Sequence, residues 1–316
     1  GTLNMAQLAE FISYGGSNSS VALSSALFLA GFGIKAGIFP LYFWLPASYP
    51  TPPASVSAIF SGLLTKVGVY ALIRVFTLIF VQDVEFTHGV LLGLATFTMI
   101  TGVLGAASQF EIRTILSFHI ISQIGYMIMG LGLFTHLAIA GTIFYLIHHM
   151  IVKTNLFLVG GVILHLKGST HLKRIGGLYK ERPLLCILFM IPAMSLAGVP
   201  PLSGFFAKFI LIVAALRAEQ WLVCGVGLFV GLVTLYSMTK IWANGFWAAQ
   251  PIEQNKIKPI SNGKLFALLS PIIALALITI CIGFGAMFVF DFAERASTLL
   301  LDRSFYIDHV LGGYIK

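Results

Sequence analysis

Charge is what this sequence has least of. Only 9% of its 316 residues are Asp, Glu, Lys or Arg, against about 25% in a soluble domain, which excludes a globular protein with an ordinary wet surface. Acidic groups are scarcer still where they would matter most, because no Asp or Glu falls within any stretch read below as membrane-spanning. Cysteine is limited to Cys186, Cys224 and Cys281, each isolated in an apolar run. No CxxC or Cys/His spacing suggests zinc, haem or an iron–sulfur cluster, and filling of a helical core is the expected role of all three. There is no phosphate-binding loop, dinucleotide fingerprint, GxSxG or HExxH. No catalytic constellation, cofactor or metal is therefore expected, and the energy for any transport must come from an ion gradient or a partner.

What is present is apolar length. Hydrophobic residues make up 58% of the chain and the mean hydropathy is +0.95, the signature of an integral membrane protein. The formal charge of +8 is not a nucleic-acid footprint, since the basic residues sit in short loops and at a few membrane positions. Each apolar run of about 20 residues reads as a spanning helix. These runs are 21–45, 54–80, 88–107, 113–134, 137–165, 184–216, 221–247 and 265–290. Residues 1–20 read as an interfacial lead-in and 291–316 as a polar tail, with one transmembrane domain overall. The 166–183 loop holds Lys167, Lys173, Arg174, Lys180 and Arg182, and the 248–264 loop holds Lys256, Lys258 and Lys264. Two helices separate these loops, so they share a side, and that side is expected to be cytoplasmic. The acidic 81–87 loop, with Asp83 and Glu85, then falls outside, as does each terminus.

Two spans are interrupted. MSLAGVPPLSGFFAKFILI is cut by Gly198, Pro200, Pro201 and Gly204, with Lys208 following one turn on. AGFGIKAGIFPLYFWLP carries Lys35 among glycines, with Pro40 and Pro46 beyond it. Proline removes a backbone donor and clashes with the preceding turn, so a helix opens there. Open backbone at membrane depth persists only in protein or beside a water-filled cavity. The two broken helices run in opposite senses, as in an inverted-repeat transporter. The match is imperfect, because Lys35 precedes its proline and Lys208 follows its own.

Lys35, Lys66, Lys153 and Lys208 all lie deep in apolar spans. A charged lysine at the bilayer centre costs about 2.5–3.5 kcal/mol, so four of them point to a shared hydrated interior. Lysine, unlike arginine, can exchange its proton near neutral pH when desolvated. In YLIHHMIVKTNLF, His149 is four residues before Lys153 on the same helical face, and Tyr145 extends that face. His148 points about 100° away, which leaves a hydrogen-bonded structural histidine as its bland alternative. His119, with Ser122 and Gln123 one turn on, could join the polar interior. Lys240 reads as snorkelling beside Trp242 and Trp247, and with Arg74 stays outside the path. A path of basic groups alone is electrostatically incomplete, so the counter-charge must come from helices outside this chain or from a partner.

At these residues a resemblance becomes specific. GIKAGIFPLYFWLP, LLTKVGVYALIR, EIRTILSFHIISQIGYMIMG, HHMIVKTNLFL and GVPPLSGFFAKFILI resemble the antiporter-like subunits shared by respiratory complex I and the Mrp-type multisubunit sodium/proton antiporters. SFHIISQIGYM is similar to the form carried by the D subunits of the latter. The resemblance implies an all-α polytopic membrane fold, here about eight transmembrane helices, two of them broken. They correspond to the seventh to fourteenth helices of a fourteen-helix inverted-repeat architecture. By that resemblance Lys35 is the lysine of the broken seventh helix and Lys66 that of the eighth. Lys153 with His149 matches the eleventh, and Lys208 the broken twelfth. A second histidine that some members carry one turn before His149 is Tyr145 here. The family's glutamate, which pairs with the seventh-helix lysine, lies on its fifth helix and has no counterpart, and the chain starts without methionine. An N-terminally truncated sequence is the expectation.

The resemblance implies an ion-translocating subunit of a Na⁺/H⁺ antiporter complex in a bacterial plasma membrane. Its proton path would run through Lys35, Lys66, Lys153, His149 and Lys208. Partners would be other membrane subunits and the ions Na⁺ and H⁺, with no nucleic acid. Two rival readings are a redox-driven proton-pumping subunit of complex I or a membrane-bound hydrogenase, and a non-conducting scaffold whose lysines face headgroups or helix contacts.

Overall fold

The structure is a computed structural model that describes residues 2–15, 19–249 and 261–312. The order is α1 (Met5–Gly15), α2 (Ser19–Ala36), α3 (Trp44–Ser48), α4 (Ala54–Ile59), a π-helical turn (Phe60–Leu64), α5 (Thr65–Leu78), α6 (Val84–Ser108), α7 (Ile112–Leu133) and α8 (His136–Lys167). It continues with α9 (Leu178–Glu181), α10 (Pro183–Ala197), α11 (Ser203–Arg217), α12 (Trp221–Ile241), a second π-helical turn (Trp242–Trp247), α13 (Asn262–Phe284), α14 (Ala286–Leu301) and α15 (Arg303–Leu311). Seven helices among the described residues are long and apolar enough to cross a membrane. The α10–α11 pair supplies an eighth passage in two halves, so the fold is all-α and polytopic.

Side chains fix the helix ends where the sequence places them. Glu111 caps α7 by accepting from Thr114 N, and Thr135 caps α8 by accepting from Ala138 N at 3.2 Å. α7 and α8 form the centre. α6 lies along α7, while α4, α10, α11, α13 and α14 surround α8. α6 and α7 approach so closely at Gly102 that a methyl there would sit 2.4 Å from Ser122 N. The loops expected on one side do meet: Ile112 N donates to Thr170 O at 3.0 Å, Leu172 N to Phe110 O at 2.7 Å and Gly177 N to Ala248 O at 2.8 Å. Lys256 and Lys258 lie outside the described residues. On the same side Arg113 Nη2 donates to Pro52 O at 2.5 Å and Ser57 Oγ at 2.6 Å, fastening the 49–57 turn to α7.

The structure adds detail at the ends and at single residues. The 1–20 lead-in contains a helix, α1, which Arg303 of α15 ties down by donating to Ala9 O. The polar tail after Phe290 is helical at its start, where amphipathic α14 buries Ala293 and Ser297 beside α8. His136 of α8 shares hydrogen bonds with Thr298 and Ser297 at 2.7 and 3.0 Å, which holds that contact closed. Cys281 is exposed, unlike buried Cys186 and Cys224, so it fills no core here. Lys240, in the last turn of α12, donates its ammonium to Ala107 O and Gln109 O at 2.7 and 2.6 Å, taking up open carbonyls at the end of α6.

Candidate functional site

α8 presents two polar sides at adjacent residues. His149 and Lys153, both fully buried, share one face, because residues four apart stack on a helix. Lys153 Nζ donates to Leu116 O of α7 at 3.0 Å. Lys66 is buried at the start of α5 and donates to Ser61 O, a carbonyl of the π-helical turn. That turn shifts the hydrogen-bond register and leaves main-chain groups open to side chains. The π-helical turn packs on α8, with Gly62 against Thr154 and Met150.

His148, about 100° round the helix, faces the break between α10 and α11. There Gly198 is left-handed at φ 95°, a region favouring glycine, and Pro200 and Pro201 occupy the turn that follows. Lys208 folds back from α11 and donates to Ala197 O, the last residue of α10, at 2.9 Å. Its ammonium also stands 5.3 Å from the centre of the Tyr126 ring, within cation–π range. A crevice of about 300 Å³ leads from Lys208 to the surface between Phe205, Phe209, Gly227 and Gly231. Gly204 plays another part than breaking the helix. It lies inside the first turn of α11, where a Cβ would meet Ser195 O at 1.7 Å.

Between these sides lies a buried polar band. Tyr145 OH donates to Gln123 Oε1, and the Tyr145 and Tyr126 rings stack with centroids 5.3 Å apart. Both ring nitrogens of His119 and of His149 lack a protein partner, as do His148 Nε2, Gln123 Nε2, Ser122 Oγ and Thr65 Oγ1. Buried polar groups in native interiors are normally satisfied by protein or ordered water, so this seam is polar enough to be wet. None of the buried polar or charged residues among those described is Asp or Glu. The only ion pair among the described residues is Lys167–Glu181, at 2.8 Å and well away on the loop side.

Lys35 stands apart from this group. α2 buries only Ser25, Gly33 and Ala36, and Lys35 is exposed on its open face. Its backbone nevertheless packs on Gly68 of α5, where an added Cβ would lie 2.9 Å from Lys35 C. Pro40 is exposed in the turn after Gly37, whose φ is 80°. Lys66, Lys153 and Lys208 are thus buried near His149 and His148, while the fourth lysine points away from them. Two serines that sequence reasoning misses, Ser195 and Ser203, flank the Gly198–Pro201 break, and that placement is the signal that could have marked them. The π-helical turn carries no such signal in the sequence.

Known proteins resemble this chain in sequence and fold. A family model described as "NADH:quinone oxidoreductase/Mrp antiporter, TM" matches residues 1–235. The D subunit of the Na(+)/H(+) antiporter of Alkalihalophilus pseudofirmus is 50% identical over 98% of this chain and 62% of its own length. Its namesake in Bacillus subtilis is 40% identical with the same coverage, 98% and 62%. Among solved structures, the Mrp complex from Dietzia sp. DQ12-45-1b aligns with TM-score 0.88 at 35% identity, over 98% of this chain and 65% of that one. The membrane-bound sulfane sulfur reductase, an archaeal respiratory membrane complex, also aligns at 0.88, with 25% identity over 98% and 62%. The chain therefore spans under two thirds of the length of these relatives. With most of its residues matched by that model, the chain belongs to the NADH:quinone oxidoreductase/Mrp antiporter membrane family.

Proposed function

We propose that the chain is an ion-translocating subunit of a multisubunit cation/proton antiporter, exchanging Na⁺ for H⁺ in a bacterial plasma membrane. On this reading it is a secondary transporter subunit and not an enzyme. The observation that carries the reading is the buried basic seam, with no buried carboxylate among the described residues, in which Lys66, His149 and Lys153 lie on one side of α8 and His148 and Lys208 on another. Each lysine held at membrane depth costs about 2.5–3.5 kcal/mol, which favours a use over an accident. The likeness to antiporter D subunits supports exchange as that use.

Protons arriving at one basic group weaken the hold of its neighbours on theirs, so charge moves along the seam stepwise. An incoming proton at Lys66 would displace one from His149 or Lys153 toward His148 and Lys208. Lys35 joins this path when another helix of the complex covers the open face of α2 and presents a carboxylate to it. Na⁺ moves elsewhere in the assembly, coupled through the field of these charges. In everted vesicles holding the assembled complex, Lys153→Ala and Lys66→Ala should each lower Na⁺-driven proton movement on the order of 10²-fold. Unchanged exchange in both would remove the reading.

A redox-driven pump is the second reading, favoured by the equal TM-score of 0.88 to the sulfane sulfur reductase. It predicts proton movement that needs an electron donor and ignores the Na⁺ gradient.

A further inference from the structure

The tandem His148–His149 leaves one step of the path unassigned. His149 serves one side of α8 and His148 the other, and beyond His148 the helix facing it is interrupted. The hydrogen bonds do not stop there. His148 Nδ1 and Ser203 Oγ are 2.8 Å apart, and Ser203 Oγ and Ser195 Oγ are 3.0 Å apart. All three residues are at most 1% exposed. Ser195 belongs to the last turn of α10 and Ser203 opens α11, so the hydroxyl pair bridges the gap between the half-helices. Lys208 Nζ reaches Ala197 O, two residues beyond Ser195.

Sealing the helix end does not account for Ser203. Leu202 is the N-cap of α11 and caps nothing with its side chain. The Ser203 hydroxyl bonds none of the α11 amides, and it is Ser195 Oγ that accepts from Gly204 N, at 3.2 Å. A hydroxyl can accept at a lone pair while releasing its own hydrogen, which an apolar residue of the same size cannot do. On the other side of His148, Nε2 is buried without a protein partner, open to an incoming proton.

Resting on the proton-path reading above, we propose that Ser203 passes protons between His148 and Ser195, which makes this hydroxyl pair the link across the helix break toward Lys208. As Nε2 of His148 takes up a proton, its Nδ1–H gives one to Ser203 Oγ. The Ser203 hydrogen then moves to Ser195 Oγ, and the Ser195 hydrogen leaves through a bridging water to the neutral amine of Lys208. One proton enters and one leaves, both serines end unchanged, and the imidazole ends in its other tautomer. Ser203 is therefore a relay residue of the transport step, and Ser195 both relays and steadies the first turn of α11.

The test uses the complete complex in everted vesicles, with assembly followed by native gel and Lys153→Ala run beside it. Ser203→Ala should assemble normally and lose about tenfold or more of the Na⁺-driven proton movement, while Ser203→Thr, which keeps a hydroxyl, should retain most of it. Exchange by Ser203→Ala within about twofold of the parent would overturn the inference. So would equal loss in Ser203→Ala and Ser203→Thr, or a loss that follows reduced assembly. If Lys153→Ala fails and Ser203→Ala does not, only the relay is wrong. If neither changes exchange, the proton-path reading itself has failed.

Discussion

Where α2 stops at Ala36, Gly37 turns left-handed at φ 80° and the indole of Trp44 donates to Ile34 O at 2.9 Å. Where α10 stops at Ala197, Gly198 turns at φ 95° and the ammonium of Lys208 donates to Ala197 O at 2.9 Å. Each break leaves carbonyls without helical donors, and each is closed by a side chain returning from beyond the turn. A neutral ring closes the first, which leaves Lys35 free on an exposed face. A charged group closes the second, so Lys208 is committed to the fold as well as to any transport. Two lysines that look equivalent in sequence thus carry different obligations.

Removing the charges separates these roles most sharply. Lys208→Met should destabilise the assembly by about 1–3 kcal/mol, because a buried carbonyl loses its donor, and should lower exchange as well. Lys35→Met removes no donor from a helix end of this chain and should lower exchange, any melting loss coming only from the partner carboxylate proposed above. Thermal melting of the solubilised complex beside vesicle transport reads both, and equal melting losses would erase the distinction. Next in size, Gly198→Ala and Gly37→Ala should each cost about 1–2 kcal/mol, since both glycines sit in the left-handed region. The Gly198 variant should suffer more in exchange, because its methyl would stand 3.0 Å from Lys208 Cδ. Smallest is Trp44→Phe, which removes a hydrogen bond at an exposed site and should cost about 0.5 kcal/mol by melting.

The central helices were legible because their apolar runs are long and unbroken. The reading of 113–134 meets α7 at Ile112–Leu133, and that of 137–165 meets α8 at His136–Lys167, with Glu111 and Thr135 marking their starts. The 221–247 span coincides with α12 and its π-helical turn. The reading of 21–45 failed at its end, because Gly37 stops α2 before Pro40 can act. α14 and α15 were missed since their apolar residues follow one face only, although Asp302 caps α15 by accepting from Phe305 N at 3.0 Å. For the candidate site, depth in an apolar run marks Lys66, Lys153 and Lys208, and all three are buried. Depth cannot tell which way a side chain faces, and Lys35 faces outward. The serine pair was invisible for a related reason, since its meaning depends on how two half-helices meet.

α8 has 32 residues, a rod of about 48 Å in a hydrocarbon layer of about 30 Å. Such a strut must lean or protrude. Its ends are held by different neighbours, His136 by α14 on one side of the membrane and Lys167 by Glu181 on the other. A push on either end therefore swings the middle, where one residue step separates the two histidines. A change in the tilt of α8 would move His148 and His149 together, since one helix carries both.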